Sequence, residues 1–185
     1  MTTNLYSNES IIVSLVADDL LESRIEHALQ AGFRRIEVQS HDMSRLKAIK
    51  EKFGDIILGA GLVITTQQLE DSYLAQVDFV TSPGFLPSLV QTASIYSIDY
   101  LPGVATVSEA MQIFALGCKK VRPLPASLSF CQTLSHYLPE LKQIPADIDW
   151  DIAEQYLAIP SVISVSICNP ENEHLKAMTE NQVVS

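Results

Sequence analysis

The residues best placed for chemistry lie in Lys119–Lys120–Val121–Arg122–Pro123–Leu124–Pro125–Ala126. Val121 and Leu124 suit a short strand, and the two prolines end it and bar a helix until about Ser127. Alternation puts Lys120 and Arg122 on one face, and Lys119 and Val121 on the other. An inward-facing cation is costly unless it is paired or functional. Arg122 therefore has two readings. It is an anchor for the carboxylate of a small acid, which its planar fork fits, or one half of an internal ion pair with Glu37, Asp147 or both. Glu37 lies at the C-terminal end of another strand and reads as an acid–base group or as that ion-pair partner. A carboxylate held by a guanidinium makes a poor base. Lys120 sits one inward position deeper, roughly 6 to 7 Å along the strand. There it is either a desolvated, nucleophilic amine or a side chain turned to the bottom rim and solvent.

The elements that must position these groups alternate along the chain. Ile11–Ala17 is an apolar, β-branched strand, and Asp18 or Asp19 caps a helix over Leu20–Gln30 that Gly32 ends. The strands that follow are Arg35–Val38, Ile56–Ala60, Asp78–Thr81, Ile98–Leu101, the opening stretch, Gln143–Ala146 and Val162–Ile167. Helices are expected over Ser44–Phe53, Gln67–Leu74 capped by Thr66, and Pro87–Ser94, and then from the Thr106–Val107–Ser108–Glu109 capping box to Leu116. Two more cover Phe130–Leu138 and Trp150–Leu157.

About eight strand–helix units joined by short links imply a parallel sheet in one α/β domain, with no linker or boundary. That number argues for closure into a compact (β/α)8 TIM barrel spanning residues 1–185 with a core from about 11 to 168. The last helix is expected to be short, because only Glu171 to Ser185 follow the final strand. A doubly wound dinucleotide fold is the alternative, but no GxGxxG follows any strand. In such a barrel chemistry sits at the C-terminal strand ends. Those ends carry Glu37, Gly59–Ala60–Gly61, Ser82–Pro83–Gly84, Pro102–Gly103, Arg122–Pro123, Pro145–Ala146–Asp147 and Ser166–Ile167–Cys168. Small residues and turns crowd this rim, as a pocket for a small substrate needs, and Gly59, Gly61, Pro83, Pro102 and Asp147 join Arg122 as candidate binding residues.

A net charge of −10 argues against a nucleic-acid groove or an anionic membrane as partner, though not against a local basic pocket. Cys118, Cys131 and Cys168 form no CxxC pair and read as free thiols in a reducing, cytoplasmic setting, each more a small core residue than a nucleophile. No apolar run reaches the roughly 18 residues of a membrane span. No two histidines have metal-ligand spacing, so neither a metal nor another cofactor is expected. Ser82 lies in Ser-Pro-Gly and not in GxSxG, which speaks against a hydrolase nucleophile.

The order and spacing of these strand ends resemble the 2-keto-3-deoxy-6-phosphogluconate (KDPG) / 4-hydroxy-2-oxoglutarate (KHG) aldolase family. The matched residues are Ile36–Glu37–Val38, Gly59–Ala60–Gly61 with Val63, Gln67–Gln68–Leu69, Ser82–Pro83–Gly84, Pro102–Gly103 with the Thr106 capping box, Pro125–Ala126, Tyr156–Leu157–Ala158 and Ser161–Val162. The resemblance implies a compact (β/α)8 barrel that forms homotrimers and binds small keto acids. It implies cleavage of a 2-keto-4-hydroxy acid to pyruvate and an aldehyde through a Schiff base on a lysine, with Glu37 as the acid–base group.

The departures from the family pattern cluster at the working positions. The family's lysine lies in Lys-Phe-Phe-Pro-Ala, and here that stretch is Arg122–Pro123–Leu124–Pro125–Ala126. Imine formation needs a neutral amine, and a guanidinium stays protonated at any working pH. Leu62 replaces the threonine after Gly-Ala-Gly. Pro145–Ala146–Asp147 replaces the Thr-Gly-Gly that helps hold phosphate, which removes an amide and adds a repelling carboxylate. Ser166–Ile167–Cys168 replaces the second phosphate-side Gly-Gly-Ser. The family's substrate-binding arginine has no clear match, and His41 lies nearest. The expected outcome is a lyase scaffold whose Schiff-base reaction is lost or very weak unless Lys120 supplies the amine. The alternative is a non-catalytic barrel that binds a keto acid or carboxylate, or serves structure alone.

Overall fold

The computed structural model describes residues 7–176. Its strand segments are β1 (Ile11–Val16), β2 (Arg35–Gln39), β3 (Ile57–Ala60), β4 (Phe79–Thr81), β5 (Asp99–Leu101), β6 (Gly103–Val104), β7 (Lys120–Pro123), β8 (Lys142–Gln143) and β9 (Val165–Cys168). The helices are α1 (Leu21–Gln30), α2 (Met43–Lys52), α3 (Thr66–Leu74), α4 (Pro87–Tyr96), α5 (Val107–Ala115), α6 (Leu128–Tyr137) and α7 (Ala153–Leu157). Every registered strand pair is parallel. Segments β5-β4-β3-β2-β1-β9 form a six-stranded sheet, half of a barrel, and β6-β7-β8 form a second sheet.

The two sheets meet at both edges. β5 and β6 are one strand interrupted at Pro102, which has no N–H for a ladder. At the other edge Gln143 N donates to Ser161 O at 2.8 Å, and Ser166 N to Pro145 O at 2.9 Å. Outward-facing side chains such as Ile36, Val38, Leu58 and Val165 are buried against Ile25, Leu46, Leu69 and Tyr156 of the helices. Ile12, Phe79, Leu101 and Ile144 form a separate buried cluster on the inward faces.

Several boundaries differ from the sequence expectation for identifiable reasons. Thr65, not Thr66, caps α3, because Thr65 and Gln68 complete a capping box. Thr106 and Glu109 complete the expected one for α5. The helix expected over Trp150–Leu157 opens as a 3-10 turn, Trp150–Ile152, before α7. Regular β8 ends at Gln143, and Pro145 has no N–H to donate, although Ile144 N and Ala146 N still donate to Val121 O and Pro123 O. A helix starts at 172, and the expected shortness of its end falls outside the described residues. Among the described residues no helix is long and apolar enough to cross a membrane.

All three cysteines are free, and Cys131 is fully buried on the inner face of α6. Burial pushes its thiol from the ordinary 9.0 up to about 12. The unfolded chain releases that proton from about pH 9, whereas the folded chain holds it to about 12. Its contribution is therefore complete below pH 9 and is lost as pH climbs through that window. Thermal midpoints measured across it should fall steeply, and Cys131→Ala should flatten the profile even while lowering it overall; an unchanged slope refutes the assignment.

Candidate functional site

Inward parity and strand ends assemble the site. Glu37 on β2 pairs in register with Ser14 on β1 and Gly59 on β3. Arg122 lies on β7, in register with Gly103 of β6, and its N–H donates to Pro102 O at 2.8 Å. Across the space between the two sheets, Arg122 Nη1 donates to Glu37 Oε1 at 2.9 Å. The two side chains are only 8% and 3% exposed. Thr81 Oγ1 donates to the same Glu37 oxygen at 2.8 Å. Glu37 Oε2 and Arg122 Nε are buried with no hydrogen-bond partner.

The glycines make this geometry possible. β3 lies between β2 and β4, and beside Glu37 its inward positions are Gly59 and, just past its end, Gly61. A Cβ on Gly61 would stand 2.8 Å from Glu37 Oε1, so only glycine leaves the carboxylate room to reach Thr81. The space beside Gly59 is taken by the Phe79 ring, 2.2 Å from where a Cβ would sit. Gly59 therefore serves Phe79 and offers no open surface to a ligand. Pro83 is exposed, and its carbonyl oxygen passes 2.2 Å from a Cβ built on Gly103, so it closes on the backbone after Pro102.

Two of the expected groups stand apart from this pair. Of the orientations open to Lys120, the structure has the one toward the bottom rim. Its Nζ meets Asp99 Oδ2 at 2.7 Å, with both side chains about two-fifths exposed at 38% and 40%. Asp147 is exposed, with φ of 55°, and makes no ion pair with Arg122. Its charge is felt at Cys168, the exposed thiol at the end of β9. Burial raises that thiol above its ordinary value, Gln39 opposes the shift by a hydrogen bond, Asp147 and Glu37 add to it and Arg122 opposes it. Glu37, Arg122, Asp147 and Cys168 thus share one electrostatic neighbourhood.

Sequence reasoning missed Thr81. The signal was its inward parity with Phe79 immediately before Ser82–Pro83–Gly84. It named Ser166 only as a strand-end residue, and the structure leaves its buried Oγ without a partner. It missed Gln39, whose amide donates to Ser14 Oγ at 3.1 Å. Ser82 donates to Val63 O and accepts from the Tyr100 hydroxyl, so it is not set up as a nucleophile. His41 Nε2 lies 3.1 Å from the Gln68 amide nitrogen, well placed to brace the loop after β2 against the start of α3. Among the described residues no group of three or more His, Cys, Asp or Glu stands ready to hold a metal ion.

A family model described as KDPG and KHG aldolase matches residues 7–178. The KHG/KDPG aldolase of Escherichia coli (strain K12) is 28% identical over 175 residues, which is 86% of this chain and 82% of that protein. A 2-dehydro-3-deoxy-phosphogluconate aldolase of Treponema pallidum is 27% identical over 144 residues, 74% of this chain and 69% of that protein. The crystal structure of KDPG aldolase from Legionella pneumophila, with pyruvate captured as a covalent carbinolamine intermediate, aligns with a TM-score of 0.81 at 28% identity, over 92% of this chain and 91% of that one. The match spans every strand of the parallel half-barrel and its neighbouring sheet, and on that ground the chain belongs to the KDPG and KHG aldolase family.

Proposed function

We propose that this chain is an aldolase-like protein, a one-domain (β/α)8 barrel, that binds a small carboxylic acid at Arg122 and does not perform imine-dependent cleavage. The observation that carries this reading is the buried Arg122–Glu37 pair at the strand ends. The residue at the family's lysine position is a permanent cation, and a guanidinium cannot condense with a ketone. The nearest inward amine, Lys120, is held by Asp99 at the opposite rim. A planar guanidinium suits a carboxylate, and the pyruvate held by the Legionella relative makes keto acids the first candidates. Hydrogen bonds at both sheet edges support closure of the barrel. The reading includes a cytoplasmic homotrimer, carried over from the family, and no cofactor.

The first test is borohydride treatment in the presence of pyruvate, read by intact mass. The mass is expected to stay unchanged, and an adduct on any lysine would refute the reading. The second is calorimetry against small keto, hydroxy and amino acids, including pyruvate, 2-oxoglutarate and glyoxylate. At least one should bind, and Arg122→Ala should abolish it. If none binds, Arg122 and Glu37 are a structural plug.

A further inference from the structure

The Arg122–Glu37 pair sets a charge condition on any ligand that enters. Both groups are nine-tenths buried or more. Glu37 keeps one buried acceptor without a partner, Oε2, and Arg122 keeps a buried donor without one, Nε, while its Nη1 is held by Glu37 Oε1. A ligand that brings only a carboxylate to the free side of the guanidinium leaves one buried cation between two anions. A buried charge left without its own counter-charge is strongly unfavourable. A phosphorylated acid adds further negative charge and makes the imbalance worse. A ligand with both a carboxylate and an ammonium pairs both protein charges anew.

The surroundings favour the same choice. Between Lys142 and Lys176 there is no Lys or Arg, while Asp147, Asp149, Asp151, Glu154, Glu171 and Glu173 supply six carboxylates. Asp147 and Asp149 follow β8, and Glu171 and Glu173 follow β9, so the topology sets all four at the C-terminal strand ends, where Arg122 lies. All four are exposed and, among the described residues, make no ion pair. A fringe of one sign focuses a field that draws in positive groups and repels anions.

We propose that this site takes a small zwitterion, a free amino acid, with its carboxylate on Arg122 and its ammonium on Glu37 Oε2. This rests on the carboxylate-binding reading of Arg122 above, and narrows it. L-Alanine and pyruvate are the deciding pair of probes, because they are nearly equal in size and differ in ammonium against ketone.

Calorimetry of the intact protein should show L-alanine, glycine or L-serine bound on the order of a hundredfold more tightly than pyruvate or lactate. Glu37→Gln keeps the shape and removes the anion, so it should reverse that order in favour of pyruvate and lactate. Should that variant fail to fold, the comparison on the unaltered protein decides alone. Pyruvate or lactate bound as tightly as the amino acids overturns this inference and leaves the carboxylate reading standing. If no acid of any kind binds, both fall.

Discussion

Arg122→Lys should turn a protein that borohydride and pyruvate leave untouched into one that gains a reduced pyruvyl group at position 122. The backbone there is fixed in the sheet. Its N–H is held by Pro102 O at 2.8 Å, and its side chain reaches inward to Glu37. Glu37, the acid–base group that the family resemblance implies, lies beside it and accepts from Thr81 Oγ1 at 2.8 Å. What the native chain lacks at this position is a group that can lose a proton and attack a carbonyl. Burial favours the neutral amine and the neighbouring Glu37 the charged one, so trapping should grow as pH rises. Removing Lys120 in the same background should change nothing, because that amine is tied to Asp99 at the far rim. If Arg122→Lys forms no adduct at any pH, more than the nucleophile separates this site from those of its relatives. Leu62, half exposed with φ of 59°, is then the next residue to restore to a hydroxyl.

The parts of this site that could be read from the sequence are those set by parity along one strand. Arg122 and Lys120 follow from alternation in a four-residue strand, and Glu37 from its place between Ile36 and Val38 in another. Which way Lys120 turns depended on Asp99, 21 residues earlier and on another strand, so no local pattern could decide it. Thr81 was hidden for a related reason. Its role requires that the chain between it and Glu37 carry no inward side chain beside them, and that condition is spread over Gly59, Gly61 and the register of three strands. Local chemistry was legible where a motif is self-contained, as in the Thr106–Glu109 box. It misled at Thr66, although Thr65 with Gln68 three residues on was the better match to the same motif. Pro145 carried its own signal that β8 would end early, but an apolar run across it outweighed that signal.

Breaking the ion pair from one side should cost far more than removing it whole. Arg122→Met strands Glu37 at 3% exposure with only Thr81 for a partner, and Glu37→Leu strands Arg122 at 8%. Each single change is expected to destabilise by about 3–5 kcal/mol. At roughly 2–4 °C per kcal/mol for a chain of this size, the midpoint should fall by about 10 °C. The double variant leaves no buried charge behind. Apolar side chains of similar volume in place of a buried pair are often neutral or stabilising by about 1–4 kcal/mol. The double variant should therefore unfold near or above the native midpoint, and the cycle should show a coupling well beyond the roughly 0.5 kcal/mol of independent sites. Denaturant unfolding of the four proteins measures it. If the single losses simply add, water reaches these charges more freely than their burial indicates. The cost of stranding Glu37 then shrinks, and with it the reason for this site to refuse a simple anion.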